Sequence, residues 1–393
     1  MFARLLFILT LFSSNFLIGQ VEKSLPNSNN SSVPMESEKE IIQQDSSYLQ
    51  LNFKASKNKK VNTDSKISES KKESSSSAVQ KKSVEFSNVK AQSSIQRTQK
   101  TPTLDKQAKM DETVNYLQTV APESFEYHFF NYVAGNYDIS RFNSLQKAYQ
   151  LQPYNQEVQI QMAAYYWITG NNLKTLEFLN LLVKSNRISS ETIQYSKDIL
   201  FSVQENGTLI THGVDDTYGC LYLQLNENLR TDVTLISLDF LQSEAYQINL
   251  KAKGYFIQNS KLIDVNYLKK FTSDNENKLI SISLTTPKEY FQLIQEQLYV
   301  VGLAFEFHSQ SFNNYYKNEY LWNEVLEKKI TNSAQTDKAK SLSSNYLLML
   351  LQLRDVYINQ NENQKVKEID KEIDRISIQS KKYEQIQKIK KKY

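Results

Sequence analysis

Residues 208–238 read TLITHGVDDTYGCLYLQLNENLRTDVTLISL, and they place two β-prone runs on either side of a helix-prone run. The first run, 208–212, and the second, 232–238, are rich in β-branched and other apolar residues. Between them, residues 213–217 have the composition of a turn, and residues 218–228 repeat leucines every fourth position on one helical face. A strand, a helix and a second strand in this order form a βαβ unit, so we expect the two strands to be parallel.

Two more strands are predicted after this unit. Residues 278–284 and 299–307 are apolar and β-prone, and Pro287 is suited to the first turn of a helix that we expect to run to about residue 298. Because crossover connections are right-handed, these elements predict a small, mostly parallel sheet covered by helices. We expect this Rossmann-like α/β domain to span residues 201–330.

Several short motifs follow one another in a specific order within residues 195–310. They are Gly213, Asp216, Thr217 and Tyr218, then residues 222–224 and 230–233, and later residues 283–285 and 302–305. In this order the segment resembles the soluble C-terminal region of bacterial multi-spanning membrane proteins that are similar to protein O-mannosyltransferases. Val214, Asp215 and Gly219 depart from that family's pattern. The resemblance implies an α/β fold and a cell-envelope setting. It does not imply transferase activity, because we expect no counterpart here of the membrane-spanning part.

Residues 156–187 have the pattern of two amphipathic helices joined by a short turn. Ala163, Tyr166 and Gly170 fit the small–aromatic–glycine frame of a tetratricopeptide repeat, which this segment resembles. Pro153 lies where a preceding repeat would end, which implies a first helical hairpin just before it. The resemblance therefore implies a short stack of helical hairpins.

We expect the tetratricopeptide-like helical hairpins to occupy residues 111–200 and to pack with the α/β domain. A further helical hairpin and a Lys-rich tail are predicted for residues 331–393. Repeat hairpins commonly form a groove for partner proteins, which here would lie near Tyr166 and Trp167. A structural stack that only supports the α/β domain is an equally weighted alternative.

The beginning of the chain has the pattern of a targeting segment. Residues 1–19 combine a basic start with a short apolar run and a small residue at the expected cleavage position, which predicts a secretory signal peptide. No cysteine lies near that position, so we predict an exported protein, periplasmic or secreted, that is not a lipoprotein. The other apolar runs are too short to span a bilayer, so no transmembrane span is expected in the mature chain.

Residues 20–110 are rich in Ser, Lys, Asn and Gln and contain few aromatic residues. Such a composition predicts a long disordered N-terminal segment, because too little apolar surface is present to offset the entropy cost of ordering the chain. We favour a plain spacer. The alternative is a basic linker that makes a weak contact with an anionic surface.

The overall composition excludes several classes of function. The 393-residue chain has a formal net charge of +4, which is too small to predict a nucleic-acid partner. A single cysteine, Cys220, excludes an intrachain disulfide and a multi-cysteine zinc site. With three histidines in the whole chain, we expect no metal centre, and we expect no cofactor. Cys220 is predicted to be buried and inert, and His128 to be packed among aromatic residues.

The loop over residues 212–217 follows the first strand, where open α/β sheets bind ligands. His212, Asp215 and Asp216 could bind a hard cation or act as acid and base, which makes them weak catalytic candidates. We favour a simpler role, in which Asp216 or Thr217 caps the N-terminus of the following helix. No glycine-rich phosphate-binding loop is present in the sequence.

Three functions are consistent with these patterns. The leading hypothesis is an exported, non-catalytic envelope protein that acts in protein–protein interaction or scaffolding through its helical repeats. The first alternative is a glycan-processing or hydrolytic accessory enzyme that uses the strand-end loop from His212 to Asp216. The second alternative is a carbohydrate-binding module, because Tyr315 and Tyr316 lie in a polar aromatic loop that we expect to be an exposed contact surface.

Overall fold

The computed structural model describes residues 66–94, 98–332 and 334–391, with side chains from residue 77 onwards except at residue 94. The predicted signal peptide and the first part of the predicted linker lie outside the described residues. In chain order, the α-helices α1 to α16 are Lys66–Ser94, Leu104–Val120, Phe125–Ala134, Phe142–Leu151, Gln156–Ile168, Asn172–Lys184, Ser190–Ser202, Gly213–Glu227, Glu244–Ala252, Val265–Asp274, Tyr315–Tyr320, Lys329–Asn332, Asp337–Ser343, Tyr346–Asn359, Asn363–Gln379 and Tyr383–Lys390. The strands β1 to β5 are Thr208–Thr211, Thr234–Ser237, Ile280–Ser283, Leu298–Val301 and Ala304–Phe307. The chain is thus mostly helical with a small sheet, in agreement with the predicted class.

The five strands form one mixed sheet with the order β2-β1-β3-β5-β4. β1 pairs in parallel with both β2 and β3, and Ile210 lies opposite Ile236 on one side and Ile282 on the other. The βαβ unit predicted around β1 and β2 is therefore confirmed. β5 pairs antiparallel with β3 and with β4, so the sheet is mixed and not mostly parallel.

The single strand predicted over residues 299–307 is divided into β4 and β5 by a tight turn at Gly302. The φ angle of Gly302 is +56°, a left-handed conformation that favours glycine. A Cβ at this position would collide with the side chain of Ser202. The turn reverses the chain and so creates the antiparallel half of the sheet.

The helix predicted from Pro287 to about residue 298 is wrong. The chain forms two 3₁₀ turns there, Lys288–Phe291 and Gln295–Gln297. Tyr290 is fully buried, and the first of these turns packs against α10. An amphipathic helix buries one face only, whereas this segment buries successive residues on several sides. This explains why it does not form the predicted helix.

The helices α2 to α6 form a layer in which each helix packs against the next. The helical hairpins predicted on either side of Pro153 are present as α3–α4 and α5–α6. Asn155 caps α5 by accepting hydrogen bonds from two backbone amides, and Asn171 caps α6 in the same way with the amide of Lys174. α8 packs against α6 and α7, which joins the helical layer to the sheet.

The predicted C-terminal hairpin is present as α14 and α15, followed by α16. Eight of the fourteen residues of α14 are buried, and the helix packs against α11 and β4. α15 packs against α13 and α16. Asp198 of α7 ties this region together, because it accepts hydrogen bonds from the amides of Glu327 and Lys328 and from the hydroxyl of Tyr346. The C-terminal helices are thus part of the packed fold.

The predicted linker over residues 20–110 extends too far, because its second part belongs to the packed fold. α1 and α2 pack against each other, and the ring of Phe86 stacks on that of Phe130 with a centroid distance of 4.1 Å. Met110 is fully buried. Phe86 and Val89 lie three residues apart on one face of α1, and the polar average composition of the segment conceals this short apolar stripe. The packed fold therefore begins earlier in the chain than predicted.

One continuous core runs through the helical layer, the sheet and the C-terminal helices. The hydroxyl of Tyr218 in α8 donates to the carbonyl of Ile160 in α5 at 2.9 Å, which fixes the two parts to each other. Within the part of the chain that the structure describes, no helix is both long enough and apolar enough to cross a membrane.

Candidate functional site

The carboxyl ends of β1 and β3 define the candidate site. The chain leaves β1 through α8 and continues to β2 on one side, whereas β3 lies on the other side of β1. The strands that follow β1 in the chain therefore lie on both sides of it, and the point where the sheet is extended in the other direction is between β1 and β3. Open α/β sheets bind ligands in the crevice at such a point, and the loop singled out from the sequence starts at this edge.

α8 begins earlier than predicted, and its cap differs from the prediction. Gly213, with a φ of +77°, is its first residue, so residues 213–217 form a helical turn. Asp216 and Thr217 lie inside the helix, and the prediction that they cap it is wrong. The amide N–H of Gly213 instead donates to Oδ2 of Asp239 at 2.8 Å. Because Asp239 follows β2, the carboxylate at this helix N-terminus comes from the neighbouring strand.

Asp239 is held by a buried cation as well as by the helix. Nζ of Lys100 lies 2.9 Å from its Oδ1, and 6% of the lysine side chain is exposed. Burial raises the pKa of Asp239, but the charges of Lys100 and His212 and the hydrogen bonds from Lys100 and Gly213 outweigh burial and lower it to about 2. An ionised carboxylate of the chain thus occupies the helix N-terminus, where an anionic ligand would otherwise bind.

Backbone contacts hold Lys100 in this position. Its amide N–H donates to the carbonyl of Ile263 at 2.8 Å, and Gln99 forms an antiparallel bridge with Asp264. A segment that is distant in sequence is thereby attached to the loop before α10. Sequence reasoning missed Lys100, because it lies in a polar segment that predicted a linker.

Asp216 closes the crevice between β1 and β3. Its side chain is buried, and the hydroxyl of Thr285, which follows β3, donates a hydrogen bond to its Oδ2. Burial raises the pKa of Asp216 to about 6, although hydrogen bonds from Thr285 and Ser283 partly offset this effect. Next to it, Oγ1 of Thr217 lies 2.8 Å from Oγ1 of Thr211. Asp216 with Thr285 and Thr217 with Thr211 thus form two hydrogen-bonded pairs at this edge.

The three weak catalytic candidates do not surround a common point. Asp215 is 44% exposed and forms ion pairs with Arg187 at 3.4 Å and with Lys338 at 3.0 Å. Asp216 is the next residue of the helix, where side chains diverge by about 100°, and it faces inward. His212 interacts with the carboxylate that follows β2. Each candidate therefore faces a different part of the chain.

Other reactive side chains do not add to this site. Cys220 is fully buried, and burial raises the pKa of its thiol, as expected for an inert cysteine. His128 is also buried and packs beside the ring of Tyr127, in line with the prediction. Within the described residues, no group of three or more His, Cys, Asp or Glu side chains could hold a metal ion.

The aromatic residues predicted to bind a partner near the helical hairpins contact the chain itself. Tyr166 is half-buried and stacks on Phe178 with a centroid distance of 5.8 Å. Trp167 is also half-buried, and its helix α5 packs against α9. Both residues therefore contribute to packing between helices.

The second predicted contact surface, at Tyr315 and Tyr316, is helical and not a loop. Tyr315 begins α11 and is 7% exposed, so the expectation that it is exposed is wrong. Tyr316 is 71% exposed, and Tyr320, one turn further along α11, is 62% exposed. The outward face of α11, formed by Tyr316 and Tyr320, is thus an exposed aromatic surface, and sequence reasoning missed Tyr320.

Comparison with known proteins places the chain in a family. The family model of TMEM260-associated domain 2 matches residues 192–391, from within α7 to just after α16. TMEM260 is a protein O-mannosyltransferase-like family, so the match agrees with the resemblance carried by the motifs in residues 195–310. No curated protein and no solved structure matches the chain. Because the matched segment makes up just over half of the 393 residues, the chain belongs to the TMEM260-associated domain 2 family.

Proposed function

We propose that this chain is a non-catalytic interaction module of the cell envelope. The observation that carries this proposal is that groups of the chain itself fill the crevice at the carboxyl edge of the sheet. Asp239 and Lys100 occupy the N-terminus of α8, and the hydrogen bond between Asp216 and Thr285 joins the two sides of the crevice. A substrate would have to displace these buried contacts, which costs free energy that a preformed site does not require.

The alternative of a glycan-processing or hydrolytic enzyme has one observation in its favour. Asp216 has a raised pKa of about 6, which suits a general acid near neutral pH. A glycosidase needs a second carboxylate that faces the same bond, and Asp215 is turned toward Arg187 and Lys338. For this reason we favour interaction over catalysis.

We infer that the partner surface includes the outward face of α11. Tyrosine contributes strongly to protein interfaces, because it offers a large apolar surface with a polar tip and few rotatable bonds. Tyr316 and Tyr320 lie four residues apart, so their side chains share one helical face. The tetratricopeptide-like hairpins α3–α4 and α5–α6 would act as a scaffold that carries this surface. The predicted signal peptide supports a location in the envelope.

Affinity capture from an envelope fraction tests this proposal. The bait is the full chain, compared with a Tyr316→Ala, Tyr320→Ala variant whose folding is verified by circular dichroism. Tyr154→Ala is the matched control, because Tyr154 is 92% exposed but lies within the helical layer, in the loop between α4 and α5. We expect a partner that the wild type and the control capture and that the double variant loses. Capture that is equal for all three proteins would exclude the α11 face as the partner surface.

A further inference from the structure

The outward face of α15 carries both basic and apolar side chains. Lys367, Lys371 and Ile378 are all exposed, and Ile378 is 62% exposed. Their spacings of four and seven residues place the three side chains on one helical face. The exposed isoleucine lies in the last turn of the helix, at one end of the basic stripe.

The loop after α15 extends this surface. Lys381 adopts a left-handed conformation with a φ of +59°, and its amide N–H donates to the carbonyl of Ile378, so the loop is tight. Lys381 is exposed, and Tyr383, the first residue of α16, is 42% exposed. Two large apolar side chains thus flank an exposed lysine at the tip of a helical hairpin.

The two aspartates of α15 form ion pairs within the chain. Asp370 forms ion pairs with Arg354 at 2.8 Å and with Lys390 at 2.7 Å. Asp374 also pairs with Lys390, at 3.1 Å. Of the charged residues from 363 to 391 that the structure shows as exposed, five are lysines and two are glutamates: Lys367, Glu368, Lys371, Lys381, Glu384, Lys388 and Lys391. The exposed surface of α15 and α16 is therefore basic.

We propose that the α15–α16 hairpin binds the surface of an anionic lipid bilayer. The lysines would attract the negative headgroups, while Ile378 and Tyr383 would enter the interface between headgroups and acyl chains. Peripheral membrane proteins combine these two contributions, and tyrosine and lysine suit the interface because each has an apolar body and a polar end. A nucleic acid would be attracted by the lysines but would leave an exposed isoleucine at the tip without a role. This proposal does not depend on the α11 face.

A fluorescent label at the tip tests the proposal locally. Ile378→Cys is introduced into the full chain and labelled with an environment-sensitive nitrobenzoxadiazole dye, since Cys220 is fully buried and does not compete. Vesicles of phosphatidylglycerol and phosphatidylcholine are compared with pure phosphatidylcholine. The control label is at Leu173→Cys, which is 84% exposed on α6. We expect the emission at position 378 to shift to shorter wavelength with anionic vesicles alone, and the label at position 173 to stay unchanged.

Charge reversal distinguishes this surface from the rest of the chain. Lys367→Glu, Lys371→Glu in the labelled background should weaken binding to anionic vesicles at least about tenfold, because each lysine near such a surface contributes roughly fivefold. High salt should weaken it as well. The proposal is overturned if the label at position 378 does not shift, if both labels shift equally, if charge reversal has no effect, or if a short DNA duplex produces the same shift.

Discussion

Asp239 connects three parts of the chain that are far apart in sequence. Its two carboxylate oxygens contact the first amide of α8 and the ammonium group of Lys100, which lies before α2. Because the contact is buried, each of the two groups can stay charged without a large free-energy penalty only while the other is present. The pair therefore both closes the crevice and attaches the N-terminal segment to the sheet.

Replacement of Lys100 should show how much the folded state depends on its ion pair with Asp239. Lys100→Met removes the ammonium group that contacts the Asp239 carboxylate and should lower the free energy of unfolding by about 3 kcal/mol, measured by urea denaturation. Adding Asp239→Asn should recover part of the loss, since the amide oxygen still accepts from Gly213 and the carboxylate that lost its contacting cation is gone. Lys174→Met is the control, because it removes an exposed ion pair with Glu177 and should have little effect. If Lys100→Met and Lys174→Met lower the free energy of unfolding equally, the buried ion pair stabilises the fold no more than the exposed one does.

Asp216 should make stability depend on pH. Its pKa is raised from 3.8 to about 6, so the folded state binds its proton more tightly than the unfolded state does. The stability from this group is present below about pH 4 and is lost as the pH rises through 6, by about 3 kcal/mol in total. Asp216→Asn, which stays neutral, should therefore gain stability relative to the wild type between pH 4 and pH 7.

The control for this experiment is Asp215→Asn, which changes the exposed neighbour. Because the pKa of Asp239 is lowered from 3.8 to about 2, its effect on stability changes mainly below pH 4 and is the same in both proteins. Denaturant unfolding at several pH values gives the comparison. A stability difference between Asp216→Asn and wild type that stays constant from pH 4 to pH 7 would show that Asp216 is not held with a raised pKa.

At the scale of elements, one glycine determines the second half of the sheet. Gly302→Ala places a Cβ on a left-handed residue and against Ser202, and should lower the free energy of unfolding by about 3 kcal/mol. Gly170→Ala is a matched control, because Gly170 has a φ of +78° and open space around it. It should cost about 1 kcal/mol from the backbone alone. If thermal denaturation shows the same loss for both variants, the contact with Ser202 is not what requires glycine.

Elements with a strong period could be predicted from the sequence, whereas elements set by tertiary contacts could not. The hairpin α5–α6 and the unit β1–α8–β2 follow from their apolar spacing and turn residues. The division of residues 299–307 into two strands depends on a close approach to α7, which no local pattern reveals. In the same way, α1 carries too few apolar residues to stand out, and its contacts, such as the stack of Phe86 on Phe130, are made with distant parts of the chain.

At the candidate site, too, the local part could be predicted from the sequence and the contacts with distant segments could not. The strand-end loop was identified because open α/β sheets place ligands there. The groups that contact this edge from elsewhere, Lys100 and Thr285, belong to segments that are more than fifty residues away from α8 in sequence. Such distant pairs leave no signal in a single sequence, because neither partner stands in a local pattern with the other.

The whole molecule combines a closed sheet edge with an exposed aromatic face on α11. Photo-cross-linking in the native cell tests most directly whether the chain acts through that face. A photoreactive phenylalanine analogue replaces Tyr316 in one strain and Tyr154 in another, since both side chains are exposed. We expect a discrete protein adduct from position 316 that position 154 does not give. The absence of an adduct at position 316, or identical adducts at both positions, would contradict the proposed function.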